Sequence, residues 1–440
     1  MKSLSQNQPL RILLILPADG TYHYRGFFKR SLSYAPLTLT TLAALVPPEL
    51  EAEIDILDEG VSPPRPPSRF YDLVGLSAVT SAAPRAYELA AFWKDREAYV
   101  VMGGAHASLL PEEALARVDT VLTGLGEEIW PRFLRDWVAG RPERMYSHQP
   151  RSGPLVSPRP RRDLLPASTY LPMTTVLANR GCVNHCQFCS IARLWGHPGL
   201  ARPVEDMAEE IKAQGRRRFI FLDPNLYADR DYALNLFQAI RPLNIRWSGL
   251  GTLNLADDPE FLDLMVKSGC TGLLVGLESL DSQVIRDIGK RHNEVARYPE
   301  QIKRLHDRGI AVLGCFVLGF DGDTKESLRK NVQAVMDLKL DAARFSVLTP
   351  FPGTGLFQRL DRDGRILTRD WSRYDTEQVV FQPARMSPED LGQVLRETWL
   401  KTYSLKAVFA RSLIRPRDRL WRLLVNQGFR YYARRLARRQ

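Results

Sequence analysis

Cysteine is scarce in this chain, and long apolar runs are absent. The 440 residues contain five cysteines, three of them clustered, which does not describe the disulfide scaffold of a small secreted domain. No run approaches the ~18 apolar residues of a membrane span. The short apolar stretch 10–16 includes an arginine and lacks a small-residue cleavage site, so we expect a buried strand rather than a signal peptide. These absences predict a cytoplasmic protein in a reducing compartment.

Acidic residues are nearly absent from the end of the chain. Residues 411–440 contain ten Arg, one Asp and neither Lys nor Glu, while the whole chain has a net charge of +11. The preceding residues are therefore almost neutral. The basic character belongs to the tail alone, so whole-chain charge does not indicate nucleic-acid binding, and none is expected.

The cysteines that are present form one motif, Gly-Cys-Val-Asn-His-Cys-Gln-Phe-Cys, at residues 181–189. Three thiolates can hold three irons of a four-iron cubane and leave the fourth iron open. A zinc site is an alternative, with His185 or His197 as the fourth ligand. Thiols that merely pack as small hydrophobes are another.

The spacing C-x3-C-x2-C, with Phe188 directly before the last cysteine, resembles the signature of the radical S-adenosylmethionine (SAM) superfamily. The resemblance implies a [4Fe-4S] cluster on Cys182, Cys186 and Cys189, with the methionyl end of SAM on the open iron. It also implies that an electron from a donor such as flavodoxin or ferredoxin splits SAM to release a 5′-deoxyadenosyl radical. Phe188 belongs to the expected SAM site.

The first part of the chain, residues 9–140, alternates short apolar runs with longer helical patterns. The runs lie at 12–16, 52–57, 73–76, 99–102 and 118–122. This alternation predicts a doubly wound, Rossmann-like parallel sheet. In such a sheet ligands bind beyond the carboxyl ends of the strands, where the strand order reverses.

The loops after these strands resemble a cobalamin-binding domain, whose pattern is D-x-H-x-x-G, then S-x-L, then G-G. The chain offers His23 and Gly26, with Thr21 in place of the Asp, so whether His23 ligates cobalt stays open. The resemblance implies a set of cobalamin-binding residues: Ser77, Val79, Thr80, Gly103, Gly104, His106 and Gly124.

A Pro- and Arg-rich segment, residues 141–170, has no helical or strand period and is predicted to be a linker. Residues 171–360 then repeat a strand and helix pattern. Apolar strands are predicted at 174–178, 219–222, 245–250, 272–276, 311–318 and 343–348. Six such repeats favour a partial (β/α)6 barrel, in which functional groups gather at the carboxyl ends of strands.

Polar residues follow four of these strands, as a SAM site at the barrel mouth would require. The predicted SAM-binding residues, besides Phe188, are Asp223, Asn225, Gly276, Glu278 and Ser279. Glu278 is a good acceptor for two ribose hydroxyls. Cys270 and Cys315 are expected to be core residues.

The region 361–440 is predicted to be helical, with Ser387 as the N-cap of a helix that ends near residue 403. Its last part carries an apolar stripe at helical spacing: Trp421, Val425, Phe429, Tyr432 and Leu436. Such a basic helix can lie in an anionic membrane interface, grip nucleic acid, or dock on its own protein. Binding to the membrane interface would give the protein a peripheral contact with the inner face of the membrane.

A cobalamin domain before a radical SAM barrel implies a C-methyltransferase that acts on an unactivated carbon of a small-molecule or lipid-like substrate. Relatives of the same architecture form or rearrange rings without methyl transfer, and nothing in the sequence excludes this. An RNA methylthiotransferase is a remote alternative, because the first cysteine is Cys182 and that class needs cysteines in the N-terminal domain. No catalytic side chain and no substrate contact is identified.

Overall fold

The computed structural model of the chain describes residues 9–19, 34–61, 69–148, 153–196, 199–413 and 419–438. They contain two six-stranded parallel sheets, a two-stranded ribbon and a C-terminal group of helices. In this described part, no helix is both long and apolar enough to cross a membrane. The α/β fold class expected from the sequence is confirmed.

The first sheet is doubly wound. Its strands are β1 (Arg11–Leu16), β2 (Glu53–Asp58), β3 (Leu73–Ser77), β4 (Tyr99–Gly103), β5 (Thr120–Thr123) and β6 (Met145–Ser147). Its helices are α1 (Leu37–Ala44), α2 (Ala83–Lys94), α3 (Ala105–Leu109), α4 (Pro111–Leu115) and α5 (Gly126–Val138). The spatial order is β2-β1-β3-β4-β5-β6, so the order reverses at β1. A ligand would bind beyond the carboxyl ends of β1 and β3.

The apolar run of β1 is continuous because both faces of this sheet are covered. Leu13 and Ile15 pack into the core on one face, whereas Ile12 and Leu14 pack into the core on the other. Successive side chains of a strand point to opposite faces, so a strand covered on both sides has no polar alternation. All five predicted strands are present. The sixth strand, β6, lies in the segment that was predicted to be a linker. It was not predicted from the sequence, because three residues are too few to show a period.

The second sheet is the partial barrel. The chain adds β7 (Thr174–Val176), β8 (Asn179–Arg180), β9 (Leu200–Ala201), β10 (Arg218–Phe221), β11 (Arg246–Gly251), β12 (Cys270–Glu278), β13 (Ala311–Leu318) and β14 (Ala342–Val347). The helices are α6 (Ile191–Trp195), α7 (Val204–Ala213), α8 (Arg230–Ile240), α9 (Pro259–Lys267), α10 (Ser282–Asp287), α11 (Tyr298–Asp307), α12 (Lys325–Asp337) and α13 (Gly355–Arg362). The sheet runs β7-β10-β11-β12-β13-β14, while β8 and β9 form a separate antiparallel ribbon. The six predicted barrel strands are confirmed.

The barrel strands divide their side chains between the outer helices and the interior. In β13, buried positions alternate strictly with partly exposed ones. The buried set, which includes Phe316, packs in the core with the helices. The partly exposed set includes Cys315, whose register partners are Gly276 of β12 and Arg344 of β14. These three residues share one layer of the interior. Cys315 is therefore not a residue of the helix-side core, whereas Cys270 is buried as expected.

The C-terminal region is helical, with α14 (Pro388–Thr402), α15 (Leu405–Leu413) and α16 (Arg419–Leu436). The side chain of Ser387 accepts a hydrogen bond from the backbone N–H of Asp390, which confirms the predicted N-cap. Two residues of the apolar stripe dock on the protein itself, while the side chain of Trp421 is not described. Phe429 lies 5.3 Å from Tyr403 between ring centroids, and Tyr432 lies 4.8 Å from Trp399.

Candidate functional site

The cysteine motif lies in a loop that the two-stranded ribbon closes at its base. Strands β8 and β9 pair Asn179 with Ala201 and Arg180 with Leu200. Inside this ribbon, Gly181 has a φ of +95°, and a Cβ built there would lie 2.6 Å from the Cα of Gly199. Only glycine allows this approach without strain. The two ends of the loop are therefore held together by backbone contacts before any metal binds.

The three cysteines of this loop carry free, partly exposed thiols. Burial raises the pKa of Cys186 to about 11, and the nearby ammonium of Lys290 opposes this shift. Burial also raises the pKa of Cys189, with Lys290 again acting in the opposite direction. Thiolate, rather than thiol, is the form that ligates metal. Lys290 therefore favours the charged form that a metal centre needs.

The chemistry of these donors fits an iron-sulfur cluster better than a single metal ion. Among the residues that the structure describes, no three His, Cys, Asp or Glu side chains are arranged to hold one ion. A zinc site on Cys182, Cys186, Cys189 and His185 would require such convergence, while His197 lies outside the described residues. In a cubane each cysteine ligates a different iron, so three thiols spread along one loop fit that centre.

A buried ion pair stands at the end of β12, beside the cysteine loop. The Nζ atom of Lys290 lies 2.5 Å from Oε1 of Glu278, and both side chains are less than a tenth exposed. Burial disfavours the charge of Lys290, but Glu278 and the two thiols outweigh it, so its pKa lies above the ordinary value. A Cβ on Gly276 would lie 2.6 Å from Nζ and still closer to Glu278. The pair therefore occupies the space that the missing side chain leaves.

Lys290 was not among the predicted site residues. It follows Gly289, whose φ is +76°, in the loop after α10. The sequence signal that could have identified Lys290 is a basic residue directly after a glycine that follows a helix. Glu278, predicted to accept from ribose, accepts from Lys290 here, and its own φ is +62°. Its contact with SAM stays a prediction.

His292 lies in the same loop. Burial, together with the charge of Lys290, lowers the pKa of His292 to about 4, so its imidazole is neutral at physiological pH. Its Nε2 atom is buried without a hydrogen-bond partner. The next residue, Asn293, donates to the carbonyl oxygen of Gly276, which fixes the loop over the end of β12.

Asp223 at the end of β10 is fully buried, and its carboxylate is already engaged. The backbone N–H groups of Ala178 and Asn179 donate to its two oxygens at 3.1 and 2.7 Å. Burial raises the pKa of Asp223 to about 6, although these two hydrogen bonds act to lower it. The structure therefore gives Asp223 a positioning role at the start of the cysteine loop, and its contact with SAM stays a prediction.

The other predicted SAM residues are placed at the same end of the barrel. Asn225 is buried, and its Oδ1 accepts the backbone N–H of Tyr227 at 3.0 Å. The Oγ of Ser279 accepts the backbone N–H of Asp281 at 3.0 Å. Phe188 packs edge to face on Phe320, with ring centroids 6.0 Å apart. These contacts hold the loops in place, and their SAM-binding roles stay predictions.

The predicted cobalamin residues of the first domain form one connected edge. Ser77 and Gly103 are register partners at the ends of β3 and β4. Gly104 has a φ of +90°, and a Cβ there would lie 2.9 Å from the backbone of Ala78. Next to them, the N–H of Gly124 donates to the Oγ of Ser108 at 3.0 Å. The structure thus brings three of the predicted loops together at the carboxyl edge of the sheet.

The remaining predicted residues of this edge differ in accessibility. Val79 is 48% exposed, an unusual position for a large apolar side chain, and it suits contact with a ligand. Thr80 is buried. His23, together with Thr21 and Gly26, lies outside the described residues.

His106 is buried in a contact with the C-terminal region. Its Nε2 lies 2.9 Å from the hydroxyl of Tyr87, and its ring packs edge to face on Trp371. The indole N–H of Trp371 donates to Glu113 at 2.9 Å. Burial lowers the pKa of His106. The imidazole of His106 therefore joins two parts of the protein, and its contact with cobalamin stays a prediction.

The two candidate edges meet across the interface between the domains. Arg180, which begins the cysteine loop, forms a buried ion pair with Glu127 in the first turn of α5. Beside it, Leu125 packs with Trp195 and Leu200, which both follow the cysteines in the sequence. Gly124 and its neighbours thus lie against the base of the cysteine loop.

Comparisons with known proteins agree with this arrangement. The model of the radical SAM superfamily matches residues 176–335. The bacteriochlorophyllide d C-12(1)-methyltransferase of Chlorobaculum tepidum is 27% identical over 404 residues, which cover 88% of this chain and 86% of that protein. The hopanoid C-2 methylase of Rhodopseudomonas palustris is 25% identical and covers 84% of this chain and 73% of its own length.

One solved structure covers the entire architecture. It is the radical S-adenosylmethionine methyltransferase TsrM from Kitasatospora setae, with cobalamin and a [4Fe-4S] cluster bound. It matches 98% of this chain and 100% of its own length, with a TM-score of 0.67 and 15% sequence identity. The two proteins therefore share their fold across both sheets and the C-terminal region.

Proposed function

We propose that this chain is a member of the radical SAM superfamily, whose model matches residues 176–335, and that it is a cobalamin-dependent C-methyltransferase. Its relatives named above are methyltransferases by name, and they align along most of its length. The helical C-terminal region argues against the RNA methylthiotransferase alternative, which ends in a small β-barrel. The substrate class is a small molecule or a lipid-like compound.

The observation that carries the proposal is the contact between the two candidate cofactor edges. The ion pair between Arg180 and Glu127 joins the cysteine loop to the first domain directly beside Gly124. Two cofactors that act on one substrate must face a common chamber, because the reacting groups have to come within about 3.5 Å of each other. The ion pair between the cysteine loop and α5 supports such a common chamber.

The cofactors carry the chemistry, and the protein supplies binding and orientation. When bound, the cluster with SAM would generate a radical on the substrate carbon, and cobalamin would supply the methyl group. Cys182, Cys186 and Cys189 would hold the cluster, and Lys290 would stabilise their thiolates. Asp223 fixes the backbone at the start of this loop. Gly104 and Gly124 would let the corrin approach the backbone closely.

Further features complete the proposal. The SAM site would combine Phe188 with Asn225, Gly276, Glu278 and Ser279, and the cobalamin site would include Ser77 and Val79. An electron donor such as flavodoxin or ferredoxin would reduce the cluster in the cytoplasm. Cys315 and Arg344, which are register partners in β13 and β14, would face the substrate chamber.

Anaerobic reconstitution tests the proposal. The purified chain is incubated with iron, sulfide and hydroxocobalamin, desalted and examined by visible absorption. We expect both the cluster and the corrin bands, and Cys186→Ser should lose the cluster while keeping the corrin. Methyl-deuterated SAM, reductant and cell extract should then give 5′-deoxyadenosine and a deuterated product. A product without added methyl would support ring formation, and the absence of both products would contradict the proposal.

A further inference from the structure

A cluster of exposed apolar side chains covers the outside of α15 and α16. In the described part of the chain, seven of fifteen exposed large apolar residues lie between residues 400 and 431. Six of them form what we call the α15–α16 outer face: Leu405, Phe409, Leu413, Leu420, Leu424 and Tyr431. They are between 41% and 71% exposed. Single exposed apolar residues are ordinary, but a contiguous patch marks an interaction site.

Helical spacing places these residues on one surface. The exposed positions of α16 include 420, 424, 427, 431 and 434, at alternating steps of four and three. Those of α15 include 405, 409 and 413, at steps of four. Residues three and four apart share a helix face. Because α15 and α16 pack side by side, their two solvent-facing sides adjoin.

The opposite face of α16 is fixed to the protein by specific contacts. Arg422 pairs with Asp341 at 2.9 Å, and both side chains are less than a tenth exposed. The amide of Asn426 donates to the backbone carbonyl of Asp341 at 3.0 Å. Phe429 and Tyr432 pack on the aromatic residues of α14 and its C-cap. These contacts set the rotation of the helix, so the apolar residues outside are not displaced core residues.

Charge identifies the partner. Neither α15 nor α16 contains an acidic residue. Basic residues on or beside the outer face are exposed: Lys406, Arg419, Arg434 and Arg438. An apolar surface with a basic rim fits the interface of an anionic bilayer, where apolar groups enter the acyl boundary and cations meet the headgroups. Helix α16 is 18 residues long, about 27 Å, and would lie along the membrane plane.

We propose that the α15–α16 outer face binds the surface of an anionic lipid bilayer. The membrane-facing residues differ from the stripe that the sequence indicated, because Phe429 and Tyr432 of that stripe pack against α14 and its C-cap. The binding does not depend on the proposed catalytic function, because both helices lie outside the candidate cofactor edges.

Flotation of the full-length chain with vesicles tests this inference. Vesicles of phosphatidylcholine alone are compared with vesicles that contain about one third phosphatidylglycerol. We expect at least tenfold tighter binding to the anionic vesicles at low salt, weakened as salt is raised because the basic rim is exposed. Equal binding to both vesicles, or no binding, would overturn the inference.

Matched variants locate the surface. The double variant Phe409→Ser with Leu424→Ser should weaken vesicle binding about tenfold or more. The double variant Arg434→Gln with Arg438→Gln should reduce both the vesicle binding and the salt dependence of that binding. Leu367→Ser, at a residue 52% exposed on another surface, should have no effect. Circular dichroism would check that every variant is folded. Vesicle binding unchanged in the serine variant would contradict the proposal. The proposal would also be contradicted if, in the absence of lipid, the protein bound RNA or self-associated and the serine substitutions abolished that binding.

Discussion

Lys290 connects the acidic end of β12 with the cysteine loop. Its ammonium contacts Glu278 and lowers the cost of ionising Cys186 and Cys189. A buried charge that loses its partner is expensive, because no water replaces the lost interaction. The same residue therefore serves both the stability of the barrel mouth and the charge state of the thiols.

Replacing Lys290 with Met should destabilise the protein by about 3–5 kcal/mol, because Glu278 would remain buried without a partner. Urea unfolding of the apoprotein measures this cost. The matched control is Lys303→Met, which breaks an exposed pair with Asp307 and should cost at most about 1 kcal/mol. The Lys290→Met variant should also take up iron more slowly, since its thiols lose a favourable charge. Equal costs for the two variants would contradict the role of the buried pair.

Asp223 should make stability depend on pH in a direction opposite to that of an ordinary salt-bridged carboxylate. Its pKa is about 6 when folded and about 4 when unfolded, so the folded state binds its proton more tightly. Its contribution is therefore favourable at low pH and is lost as pH rises through 6. The wild type should lose about 1 kcal/mol between pH 5 and pH 7 relative to Asp223→Asn.

Urea unfolding of both proteins at the two pH values checks this expectation. Asp323 also has a pKa raised by burial to about 6, but its effect cancels in the comparison. At each pH the Asn variant should also lose about 1–3 kcal/mol, because one of two buried backbone N–H groups loses its acceptor. A difference that does not change with pH would show that Asp223 is not protonated as proposed.

Most strands and helices could be predicted from the sequence, because the face that packs in the core imposes a regular spacing of apolar residues. The strand predicted at 219–222 is found at Arg218–Phe221, and the strand predicted at 311–318 is found at Ala311–Leu318. The short strand β6 and the ribbon of β8 and β9 were not predicted, because two or three residues carry no period. The Lys290 and Glu278 pair was also missed. It depends on where two separate loops meet, which the local sequence does not encode.

The glycine turn after β4 has a structural requirement that a substitution can measure. Gly104→Ala should destabilise the first domain by about 1–3 kcal/mol, because φ is +90° and the added Cβ meets the backbone of Ala78. Gly428→Ala is the control, since nothing lies within 4 Å of its Cβ and alanine favours a helix by up to about 1 kcal/mol. Thermal unfolding should show opposite shifts. Retention of cobalamin after desalting should fall only in Gly104→Ala.

Among the contacts that join the domains in the described part of the chain, two lie at separate places. Arg180 and Glu127 connect the cysteine loop to α5, while Trp371 connects the C-terminal region to Glu113 and His106. Both links involve buried or partly buried groups, so they are stronger than exposed contacts. The two domains should therefore unfold together.

Loss of both links should separate the domains. Calorimetry of the wild type should show one transition, whereas Glu127→Gln combined with Trp371→Phe should show two, or one that is broader and lower. Arg135→Ala removes an exposed pair with Glu49 inside the first domain and should leave a single transition. A single sharp transition in the double variant would show that other contacts hold the domains together.

The closure of the cysteine loop also bears on how the protein survives oxygen. Strands β8 and β9 and the contact between Gly181 and Gly199 bring the loop ends together through the backbone alone. The entropy of closing this loop is therefore lost when the chain folds, and not when the cluster is inserted. We expect a chain whose cluster has been destroyed to keep its fold and to accept a replacement. Repair would then require only iron, sulfide and reductant, without new synthesis of the polypeptide.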